Sequence, residues 1–463
     1  MSAVLPASAM RADAEVDVAI IGAGACGLVA ALRAVEAGAD VLVLERDTKP
    51  TGSTSMSSGF IPAPATRFQR AIGVEDDTPE RLAADIQAKT KNRSDAGLVA
   101  TVSEAIGPAL EWLADSHGLE WIVLDDFLYP GHSRHRMHAV PEKTGAALLQ
   151  RLATAADAAG VPVATGAHVT GLFADGEIVR GVRIARNDGA EEHLACTALI
   201  LACNGYGGNA GLVARHIPEL EDAQYYGHAG NQGDAVLWGE ALGADIRDLS
   251  GYQGHGSLAH PHQILISWAL MMEGGIQVNV DGRRFSNEHS GYSEQAVKVL
   301  DQPDRVAWNL YDQRIHDFAR SFPDYRDAMQ AGAIRQADSL DDLARAIGVD
   351  PRALSDTLRM VATLQSGEGS DAFGRDFTTR PALKAPLYAV KVTGALFHTQ
   401  GGLMVDGEAR VLSAEGKPFP NLFAGGGAAC GVSGPDVSGY LSGNGLLTAI
   451  ALGYVAGRSS AAG

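Results

Sequence analysis

A glycine motif near the N-terminus constrains the fold of this chain more than any other feature of its sequence. Residues 16–21 form a short, β-branched and apolar run, which is typical of a buried parallel strand. The glycines of a GxGxxG pattern follow directly, at Gly22, Gly24 and Gly27. An Ala-rich stretch at 28–37 then predicts a helix, so the motif lies in a strand–turn–helix context.

Each glycine of the motif has a physical role in binding a dinucleotide. Gly22 permits the tight turn, Gly24 lets the backbone approach a pyrophosphate at the helix N-terminus, and Gly27 lets the helix pack closely on the strand. A second buried strand at 41–44 ends on Glu45, near the usual place of the acid that accepts hydrogen bonds from a ribose. Strand, turn, helix, second strand and acid together predict a dinucleotide-binding site.

Length, charge and cysteine usage limit the remaining classes of protein. The 463 residues are enough for two or three domains, and the net charge of −18 makes nucleic acid or an anionic membrane an unexpected partner. The four cysteines form no CxxC pair, and the tract His132, His135, His138 has no further ligand at metal spacing, so we expect no metal site.

No apolar run reaches the roughly 18 residues of a membrane span, and residues 1–15 lack a signal-peptide pattern. We therefore expect a cytoplasmic protein.

Three more segments carry glycine-rich turns. The loop at 51–59, TGSTSMSSG, is small, polar and rich in backbone N–H donors. The segment at 198–209, ALILACNGYGGN, predicts an apolar strand that ends in a glycine turn. Near the C-terminus, NLFAGGG at 421–427 precedes SGYLSGNGLLTAIALGYVAG at 438–457, which predicts a turn and an apolar helix. The N-terminus of such a helix stabilises negative charge, for example on a reduced flavin.

These segments resemble those of one superfamily of FAD-dependent oxidoreductases, which contains the fumarate reductases and the 3-ketosteroid dehydrogenases. The resemblance extends from about residue 16 to residue 458. Its further markers are GDAVLWGEALGAD at 233–245, GGIQVNVDGRRFSNE at 274–288 and HTQGGLMVD at 398–406. In its active-site pattern the chain is most similar to the ketosteroid Δ4-dehydrogenase branch.

The resemblance implies an α/β fold in which a Rossmann-like, discontinuous FAD-binding domain is interrupted by an α+β substrate-capping domain. Residues 1–225 and 378–463 would build the FAD-binding domain, and residues 226–377 would form the cap. Helical periodicity within the cap predicts helices at 340–347 and 351–365. The active site would lie between the cap and the flavin, a common place for a ligand pocket.

The resemblance also implies that FAD is bound without a covalent link, because the loop at 51–59 has no histidine to attach it. The residues implied to hold the cofactor are Gly22, Gly24, Ala25, Cys26, Gly27, Glu45, Arg46, Gly52, Ser53, Thr54, Ser57, Ser58, Gly59, Gly205, Gly426, Ser442, Gly443, Asn444 and Leu446. One position departs from the family pattern: Gly427 stands where members commonly carry an acid that holds the ribityl chain. That contact must come from elsewhere or be lost.

Tyr440 and Ser442 lie just before the C-terminal helix, and the resemblance gives them catalytic roles. Fumarate reductases have, at the position of Tyr440, an arginine that grips a substrate carboxylate, whereas the pattern GYxSG resembles the Δ4-dehydrogenase branch. A phenol there donates to a ketone oxygen and stabilises the enolate as the α-proton leaves. A tyrosine that only packs at a helix start is the alternative interpretation.

Four further residues are candidates for proton transfer or substrate binding. Tyr292 follows the RFSNE segment, where Δ4-type enzymes place a catalytic tyrosine, and is the candidate base. His398 matches the substrate-side HTxGG of fumarate reductases and is a candidate catalytic residue. His255 and Arg314 are candidate substrate-binding residues, with Arg314 near the place of the reductases' proton-donating arginine. Structural histidines and a solvated helix arginine are the alternatives.

The leading hypothesis is an FAD-dependent dehydrogenase that introduces an α,β C=C bond into a ketone, with a cyclic ketone as the favoured substrate. Tyr440 would polarise the ketone, Tyr292 would take one hydrogen as a proton, and flavin N5 would take the other as a hydride. The alternative is an enoate reductase of the fumarate or urocanate kind, favoured by HTQGG, His255 and Arg314. A redox-silent FAD-containing scaffold is a third interpretation. The sequence identifies neither the substrate nor the electron acceptor, and it leaves the oligomeric state open.

Overall fold

The structure, a computed structural model, describes residues 3–126 and 128–461 and has the mixed α/β architecture that the sequence predicts. Its strands are β1 (Ala3–Pro6), β2 (Ala14–Ile21), β3 (Val41–Leu44), β4 (Ile61–Pro62), β5 (Ile122–Leu124), β6 (Met137–Ala139), β7 (Val163–Ala164), β8 (Ala167–Asp175), β9 (Ile178–Arg186), β10 (Glu191–Leu201), β11 (Gln224–Tyr225), β12 (Ile246–Arg247), β13 (Tyr252–Ala259), β14 (Ile264–Leu265), β15 (Ile276–Val278), β16 (Val306–Asp312), β17 (Ile334–Ala337), β18 (Leu387–Thr399), β19 (Gly402–Leu403), β20 (Arg410–Leu412) and β21 (Pro418–Ala424). Its α-helices are α1 (Ala25–Glu36), α2 (Gly52–Met56), α3 (Arg67–Ala71), α4 (Pro79–Thr90), α5 (Ala96–His117), α6 (Gly145–Ala158), α7 (Ala210–His216), α8 (Asp234–Leu242), α9 (Ala269–Met272), α10 (Tyr292–Leu300), α11 (Gln313–Ala319), α12 (Pro323–Gln330), α13 (Leu340–Ile347), α14 (Pro351–Gln365) and α15 (Asn444–Ser460). Within the described residues, no helix combines the length and the apolar character needed to span a membrane.

The chain divides into two units. The first unit consists of Met1–Ile217, Gly227–Tyr252 and His398–Gly463, and the inserted unit consists of Pro218–Tyr226 and Gln253–Phe397. Three segments fall on the other side of the predicted domain limits. Residues 227–252 belong to the first unit, and residues 218–225 and 378–397 belong to the inserted unit. The last of these segments is held by β18, which pairs antiparallel with β16.

The first unit is built on a sheet that carries the glycine motif near its centre. The strand order is β1-β8-β9-β10-β2-β3-β7. The strands β10, β2, β3 and β7 run parallel to one another, whereas β10 is antiparallel to β9. The strand β21 pairs parallel with the end of β10. The apolar half of β2 and most of β3 are buried, as expected for parallel strands that helices cover on both faces. The motif therefore lies at the carboxyl end of β2, where α/β sheets bind ligands.

Two helices of the first unit, α1 and α15, approach each other unusually closely. A Cβ on Gly457 would lie 2.2 Å from the carbonyl oxygen of Ala30, and one on Gly453 would lie 2.5 Å from another carbonyl oxygen of α1. The helix α15 begins at Asn444, directly after Gly443, whose φ of +88° lies in the left-handed region. The two glycines lie 9 and 13 residues after the first residue of α15, so they hold the middle and the end of this helix against α1. The sequence predicts the start of α15 at this place.

The inserted unit has its own sheet, in the order β14-β13-β18-β16-β15, with β11 and β17 also paired to β18. Both helices predicted within it are confirmed, as α13 and α14. Its interior holds a buried ionic network in which Glu288 accepts hydrogen bonds from Arg284 and pairs with Arg375 at 3.0 Å. Burial raises the pKa of Glu288, but the hydrogen bond from Arg284 and the charges of both arginines outweigh that effect and leave the pKa below its usual value.

Candidate cofactor and catalytic site

The first unit contains an open cavity at the carboxyl ends of β2, β3 and β10, with an empty volume of about 810 Å³ that includes space open to solvent. Its walls come from the GxGxxG turn, the first residues of α1, the residues after β3, the start of α2 and the turn after β10. The predicted cofactor residues that line it are Gly22, Gly24, Ala25, Cys26, Glu45, Arg46, Gly52, Ser53, Thr54 and Gly426.

Two of the three glycines of the motif, Gly22 and Gly27, are required by close backbone contacts. Gly22 has a φ of +106°, and a Cβ there would lie 2.5 Å from the carbonyl oxygen of Ala202. A Cβ on Gly27 would lie 1.9 Å from the carbonyl oxygen of Gly22, so α1 can approach β2 only without a side chain there. The amide of Ala25 donates to Oγ1 of Thr54 at 3.0 Å, which ties the loop after β3 to the first turn of α1. Amides at such a helix N-terminus favour an anionic group such as a pyrophosphate.

Glu45 lies just after β3, and backbone amides hold its carboxylate. Oε2 accepts from the amide of Ala23 at 3.0 Å, and Oε1 accepts from the amide of Asp47 at 2.9 Å. An ionised carboxylate has about four acceptor positions, so others remain for ribose hydroxyls. Beside it, Arg46 donates to Oδ2 of Asp234 at 3.1 Å. These contacts give one end of the cavity a fixed set of polar groups.

The other predicted cofactor residues lie in supporting turns or at the start of α15. Ser57 donates to the carbonyl oxygen of Thr54 at 2.8 Å and accepts from the amide of Gly59 at 3.1 Å, so it shapes the loop that carries Thr54. Gly205 donates its amide to Oδ1 of Asn204 at 2.8 Å. Direct contacts with the cofactor stay predictions for all the predicted residues. Those that do not line the cavity are Gly27, Ser57, Ser58, Gly59, Gly205, Ser442, Gly443, Asn444 and Leu446.

Two unpartnered polar atoms in the first unit fit a bound dinucleotide. Trp238 lines the cavity, and its buried Nε1–H has no hydrogen-bond partner among the described residues. Oδ1 of Asn444, in the first turn of α15, also has no partner within the described part of the chain. Buried polar groups are rarely left unpaired in native proteins. FAD, with polar groups along its whole length, can supply a partner for Trp238 at the cavity wall. A contact between FAD and Asn444, which does not line the cavity, stays a prediction.

The rest of the cavity wall presents neutral groups. Burial raises the pKa of both Cys26 and Cys203 to about 12, so both are uncharged thiols at neutral pH. The residues that the structure describes form no cluster of three or more His, Cys, Asp or Glu side chains suited to a metal ion. Backbone amides, hydroxyls and carboxamides are therefore the groups offered to a cofactor beyond the polar end at Glu45.

Tyr440 and His398 are neighbours in the first unit. Their ring centroids are 5.6 Å apart, and the rings meet edge to face. His398 lies against the first turn of α15, where a Cβ on Gly445 would be 3.1 Å from its Nε2. Burial lowers the pKa of His398 to about 4, so the ring is uncharged at neutral pH. The structure thus brings together, at one helix start, two residues that the sequence predicts to be catalytic.

A buried hydrogen-bond chain sets the tautomer of His398. Nδ2 of Asn444 donates to Oγ of Ser433 at 3.1 Å, and that hydroxyl donates to Oε1 of Gln400 at 2.7 Å. Nε2 of Gln400 lies 2.7 Å from Nδ1 of His398. The carbonyl oxygen of Thr399 also lies 3.3 Å from Nδ1, a longer contact. Because Oε1 of Gln400 already accepts from the serine and its Nε2 is the closer partner of Nδ1, we assign the N–H of Gln400 as donor to Nδ1 and the ring proton to Nε2. The sequence places Gln400 inside the HTQGG motif but gives no sign of Ser433.

Ser442 takes part in a second buried network through its backbone carbonyl. Nε2 of His132 donates to this carbonyl at 3.0 Å, while its Nδ1 lies 3.4 Å from Nη1 of Arg136. Arg136 is fully buried and pairs with Asp77 at 2.7 Å. Burial, followed by the charge of Arg136, lowers the pKa of His132 to about 4. In the structure, His132 therefore supports the turn before α15, a role that the sequence tract did not reveal.

His255 and Tyr292 are neighbours in the inserted unit. Their rings stack with centroids 5.0 Å apart, and Phe397 stacks on His255 at 5.1 Å. Nδ1 of His255 accepts from the amide of Ser257 at 3.1 Å, so its ring proton is on Nε2. Burial lowers the pKa of His255 to about 3, so this ring is also neutral. Roles in catalysis and substrate binding stay predictions for both residues.

Arg314 lies on α11 and makes contacts of a different kind. Its guanidinium pairs with the carboxylate of Glu273 at 3.2 Å and donates to the carbonyl oxygen of the same residue at 2.7 Å. The Arg314 side chain is 40% exposed. These contacts agree with the alternative interpretation of a solvated helix arginine, and a role in substrate binding stays a prediction.

Comparison with known proteins defines the class. A family model described as FAD binding domain matches residues 17–446, so the chain belongs to this family of FAD-binding proteins. Together with the cavity and its polar groups, this makes the protein an FAD-dependent oxidoreductase with the fold of the fumarate reductase and ketosteroid dehydrogenase superfamily.

Three known proteins illustrate what the chain is similar to. It is 29% identical over 449 residues to the probable fumarate reductase Ifc3 of Shewanella frigidimarina (strain NCIMB 400), covering 96% of this chain and 74% of the relative. Its structure is similar to the open conformation of a flavocytochrome c3 fumarate reductase, with a TM-score of 0.84, 28% identity, and coverage of 98% and 80%. It is also similar to a 3-ketosteroid-Δ4-(5α)-dehydrogenase of Rhodococcus jostii RHA1, with a TM-score of 0.77, 23% identity, and full coverage of both chains. The last likeness concerns the fold alone.

We expect Trp238→Phe to weaken FAD binding about five- to tenfold, because one neutral hydrogen bond contributes roughly 1 kcal/mol. Trp238 follows Asp234 by about one helical turn, so its N–H serves the same end of the cavity as Glu45, where we expect the adenosine ribose to bind. FMN lacks the adenosine half and should bind parent and variant alike. Titration of the apoprotein with FAD and with FMN, followed by flavin fluorescence, measures both affinities.

Trp121→Phe is the matched control for this prediction. Nε1 of Trp121 donates to the carbonyl oxygen of Leu110 at 2.9 Å, and the residue does not line the cavity. This variant should keep the FAD affinity of the parent. Equal losses for FAD and FMN in Trp238→Phe, or no loss for either, would contradict a bond from Trp238 to the adenosine half.

Proposed function

We propose that this FAD-dependent oxidoreductase introduces a C=C bond α,β to the carbonyl group of a ketone, with a cyclic ketone as substrate. The observation that carries the proposal is the pair of adjacent donors, Tyr440 and a neutral His398, beside the first turn of α15. A ketone oxygen accepts hydrogen bonds from such groups, and they stabilise the negative charge that develops on it during enolisation.

The charges around this turn favour a ketone over a carboxylate. His398 is uncharged, because burial lowers its pKa to about 4. Arg93 is paired with Asp436, which lies just before the turn, and Arg136 is paired with Asp77 at 2.7 Å. Neither arginine is therefore available to grip a carboxylate, a group that proteins commonly bind with a bidentate arginine.

In the proposed reaction the substrate loses two hydrogens from adjacent carbons, one as a proton and one as a hydride. FAD, when bound, supplies the hydride acceptor. Tyr440 donates to the ketone oxygen and thereby acidifies the α-carbon, and Nε2–H of His398 is the second donor to that oxygen. Tyr292, which stacks on His255 in the inserted unit, is the proposed proton acceptor.

Anaerobic mixing of the FAD-loaded protein with saturated ketones tests this proposal. A suitable panel contains cyclohexanone, a carboxylated cyclohexanone and a saturated 3-ketosteroid. We expect at least one cyclic ketone to bleach the oxidised flavin and to yield a product two hydrogens lighter by mass spectrometry. The proposal fails if no ketone bleaches the flavin while fumarate or urocanate rapidly oxidises the dithionite-reduced protein.

A second candidate function is the reduction of an unsaturated carboxylate, as in fumarate or urocanate reduction. It is favoured by the HTQGG motif at 398–402 and by the similarity to a probable fumarate reductase. Oxidation of the reduced protein by enoates alone would select this function. Silence toward both ketones and enoates would select a redox-silent FAD scaffold. A cytoplasmic location stays a prediction, and the electron acceptor is unassigned.

Gln400→Glu is expected to introduce a pH dependence into flavin reduction by ketones. In the parent, Gln400 donates to Nδ1 of His398, whose pKa of about 4 keeps the ring neutral at neutral pH. A carboxylate at position 400 accepts from Nδ1–H instead, favours the charged ring and raises the pKa of His398 toward neutrality. The variant's reduction rate should pass through an inflection between about pH 5 and 8, where histidine commonly titrates. Stopped-flow rates over this range measure it.

Gln400→Met is the uncharged control for this variant. It removes the donor to His398 without adding a charge, so we expect a rate about five- to tenfold lower and no new inflection. If Gln400→Glu keeps the parent's pH profile, Gln400 does not set the state of His398.

A further inference from the structure

The turn after β10 puts a side chain where a glycine would be expected. Asn204 has a φ of +67°, in the left-handed region, which asparagine tolerates better than most residues. It lines the cofactor cavity, together with Gly427 from the turn after β21. A polar residue in strained backbone conformation at a cavity wall indicates that its side chain has a role there.

The carboxamide of Asn204 is fixed at both ends. Oδ1 accepts from the amide of Gly205 at 2.8 Å, and Nδ2 donates to Oγ of Ser53 at 2.8 Å. Oγ of Ser53 also accepts from Nδ2 of Asn231 at 3.1 Å. Since this oxygen already accepts two hydrogen bonds, the proton of Ser53 is directed to a third group. Ser53 lines the same cavity, so an acceptor of the cofactor can take that proton.

Asn204 and any side chain at position 427 exclude each other. A Cβ on Gly427 would lie 2.2 Å from Oδ1 of Asn204 and 3.0 Å from the amide nitrogen of Gly205. The first distance is far shorter than any van der Waals contact, and the bonds to Gly205 and Ser53 hold the carboxamide in place. The carboxamide of Asn204 therefore fits in this position only because residue 427 is a glycine.

We propose that Asn204 and Gly427 form an exchanged pair, in which the carboxamide of Asn204 takes over the cofactor-facing position of a side chain at residue 427. Asn204 then holds the polar chain of FAD with an uncharged group and, through Ser53, joins the loop after β3 to this contact. This exchange would supply the cofactor contact that is lost at Gly427, where family members commonly carry an acid. The proposed exchange concerns cofactor binding in the absence of substrate, so its test does not depend on the proposed reaction.

A double-mutant cycle tests the pair by titration of apoprotein with FAD. Gly427→Ala should weaken FAD binding at least tenfold, because its methyl group displaces the carboxamide of Asn204. Asn204→Gly should weaken binding about tenfold, because two side-chain hydrogen bonds are lost. The double variant should bind only slightly more weakly than Asn204→Gly alone, since the second substitution then meets only the amide nitrogen of Gly205 at 3.0 Å.

A second double-mutant cycle, with glutamate at position 427, tests whether a side chain there can take over the role of Asn204. Asn204→Gly combined with Gly427→Glu should recover FAD affinity to within about threefold of the parent, whereas Gly427→Glu alone should bind FAD worst of all. The recovered variant should also have a lower midpoint potential for its bound flavin, because a carboxylate disfavours the anionic reduced form. The potential is measured by titration with a reference dye, without substrate.

Two controls keep the outcome interpretable. Gly407→Ala adds a methyl group that meets nothing closer than 3.8 Å and should leave FAD binding unchanged. If Asn204→Gly fails to fold, Asn204→Asp replaces it: this residue keeps Oδ1, so Gly427→Ala should be as damaging in that background as in the parent. The proposal is overturned if Gly427→Ala binds FAD like the parent, or if the losses of the two single variants simply multiply in the double variant.

Discussion

Tyr440→Phe is expected to slow the reduction of bound flavin by cyclic ketones about 10²–10³-fold, the usual cost of removing one donor to a developing oxyanion. The ring of Tyr440 is buried and meets the edge of His398 at 5.6 Å, and phenylalanine preserves this packing. FAD affinity should therefore stay close to that of the parent. Anaerobic single-turnover mixing measures the rate, and titration of the apoprotein measures the affinity.

Tyr454→Phe is the control for this variant, because Tyr454 lies on the same helix, α15. It follows Asn444 by ten residues, or about 15 Å along the helix axis, and its ring packs against Trp112 at 5.3 Å. Removal of its hydroxyl should change neither rate nor affinity. A parent-like rate in Tyr440→Phe would exclude the proposed donor role. A slow rate accompanied by an equal loss of FAD affinity would assign Tyr440 to cofactor binding instead.

The parts of the site that could be predicted from the sequence are those set by short-range contacts. Gly22 and Gly27 are five positions apart, and the structure shows that a Cβ on Gly27 would strike the carbonyl oxygen of Gly22 at 1.9 Å. Because this contact joins residues that are close in the sequence, it determines the spacing of glycines in the motif, and the motif can be recognised from the sequence alone. Glu45 at the end of β3 and the turn before α15 were predictable for the same reason, because each follows from a local strand or helix pattern.

The hydrogen-bond partners that tune these residues could not be predicted, because they come from distant parts of the chain. His132 and Ser442 are 310 positions apart, and Gln400 and Ser433 are 33 apart. No local spacing encodes such pairs, which exist only once the strands and turns have packed. The tautomer of His398 depends on one of them and was for that reason beyond sequence interpretation.

The limit between the two units also could not be predicted from local sequence composition. The polar stretch at 366–379 has the composition of a hinge, which placed the predicted limit at 377. The strand β18 that follows is almost entirely buried, and its residues pair with β16 and β17 of the inserted unit. A buried apolar strand indicates that it joins a sheet but does not indicate which one, since the choice depends on its partners.

Glu288→Gln is expected to lower the free energy of unfolding of the inserted unit by about 3–5 kcal/mol, the usual cost of breaking a buried ionic network. In the parent, the fully buried carboxylate of Glu288 accepts from Arg284 at 2.7 Å and pairs with Arg375 at 3.0 Å. Glutamine keeps the shape but removes the charge, so two buried guanidinium groups are left with the carboxylate of Asp371, which bonds Arg284. Denaturant unfolding can be followed by the fluorescence of Trp268, whose Nε1 donates to the carbonyl oxygen of Glu288.

Acid should abolish the difference in stability between the parent and Glu288→Gln. The pKa of Glu288 is below its usual value in the folded state, so its stabilisation is present above the unfolded-state pKa of about 4.3 and is lost as the pH falls through the folded-state pKa. The difference should be constant from about pH 8 to pH 5 and should shrink below about pH 4.

Asp356→Asn breaks the exposed pair with Arg359 and should change nothing measurable at any of these pH values. A difference below about 1 kcal/mol at neutral pH, or one that persists unchanged in acid, would contradict an ionised Glu288 as the centre of the network.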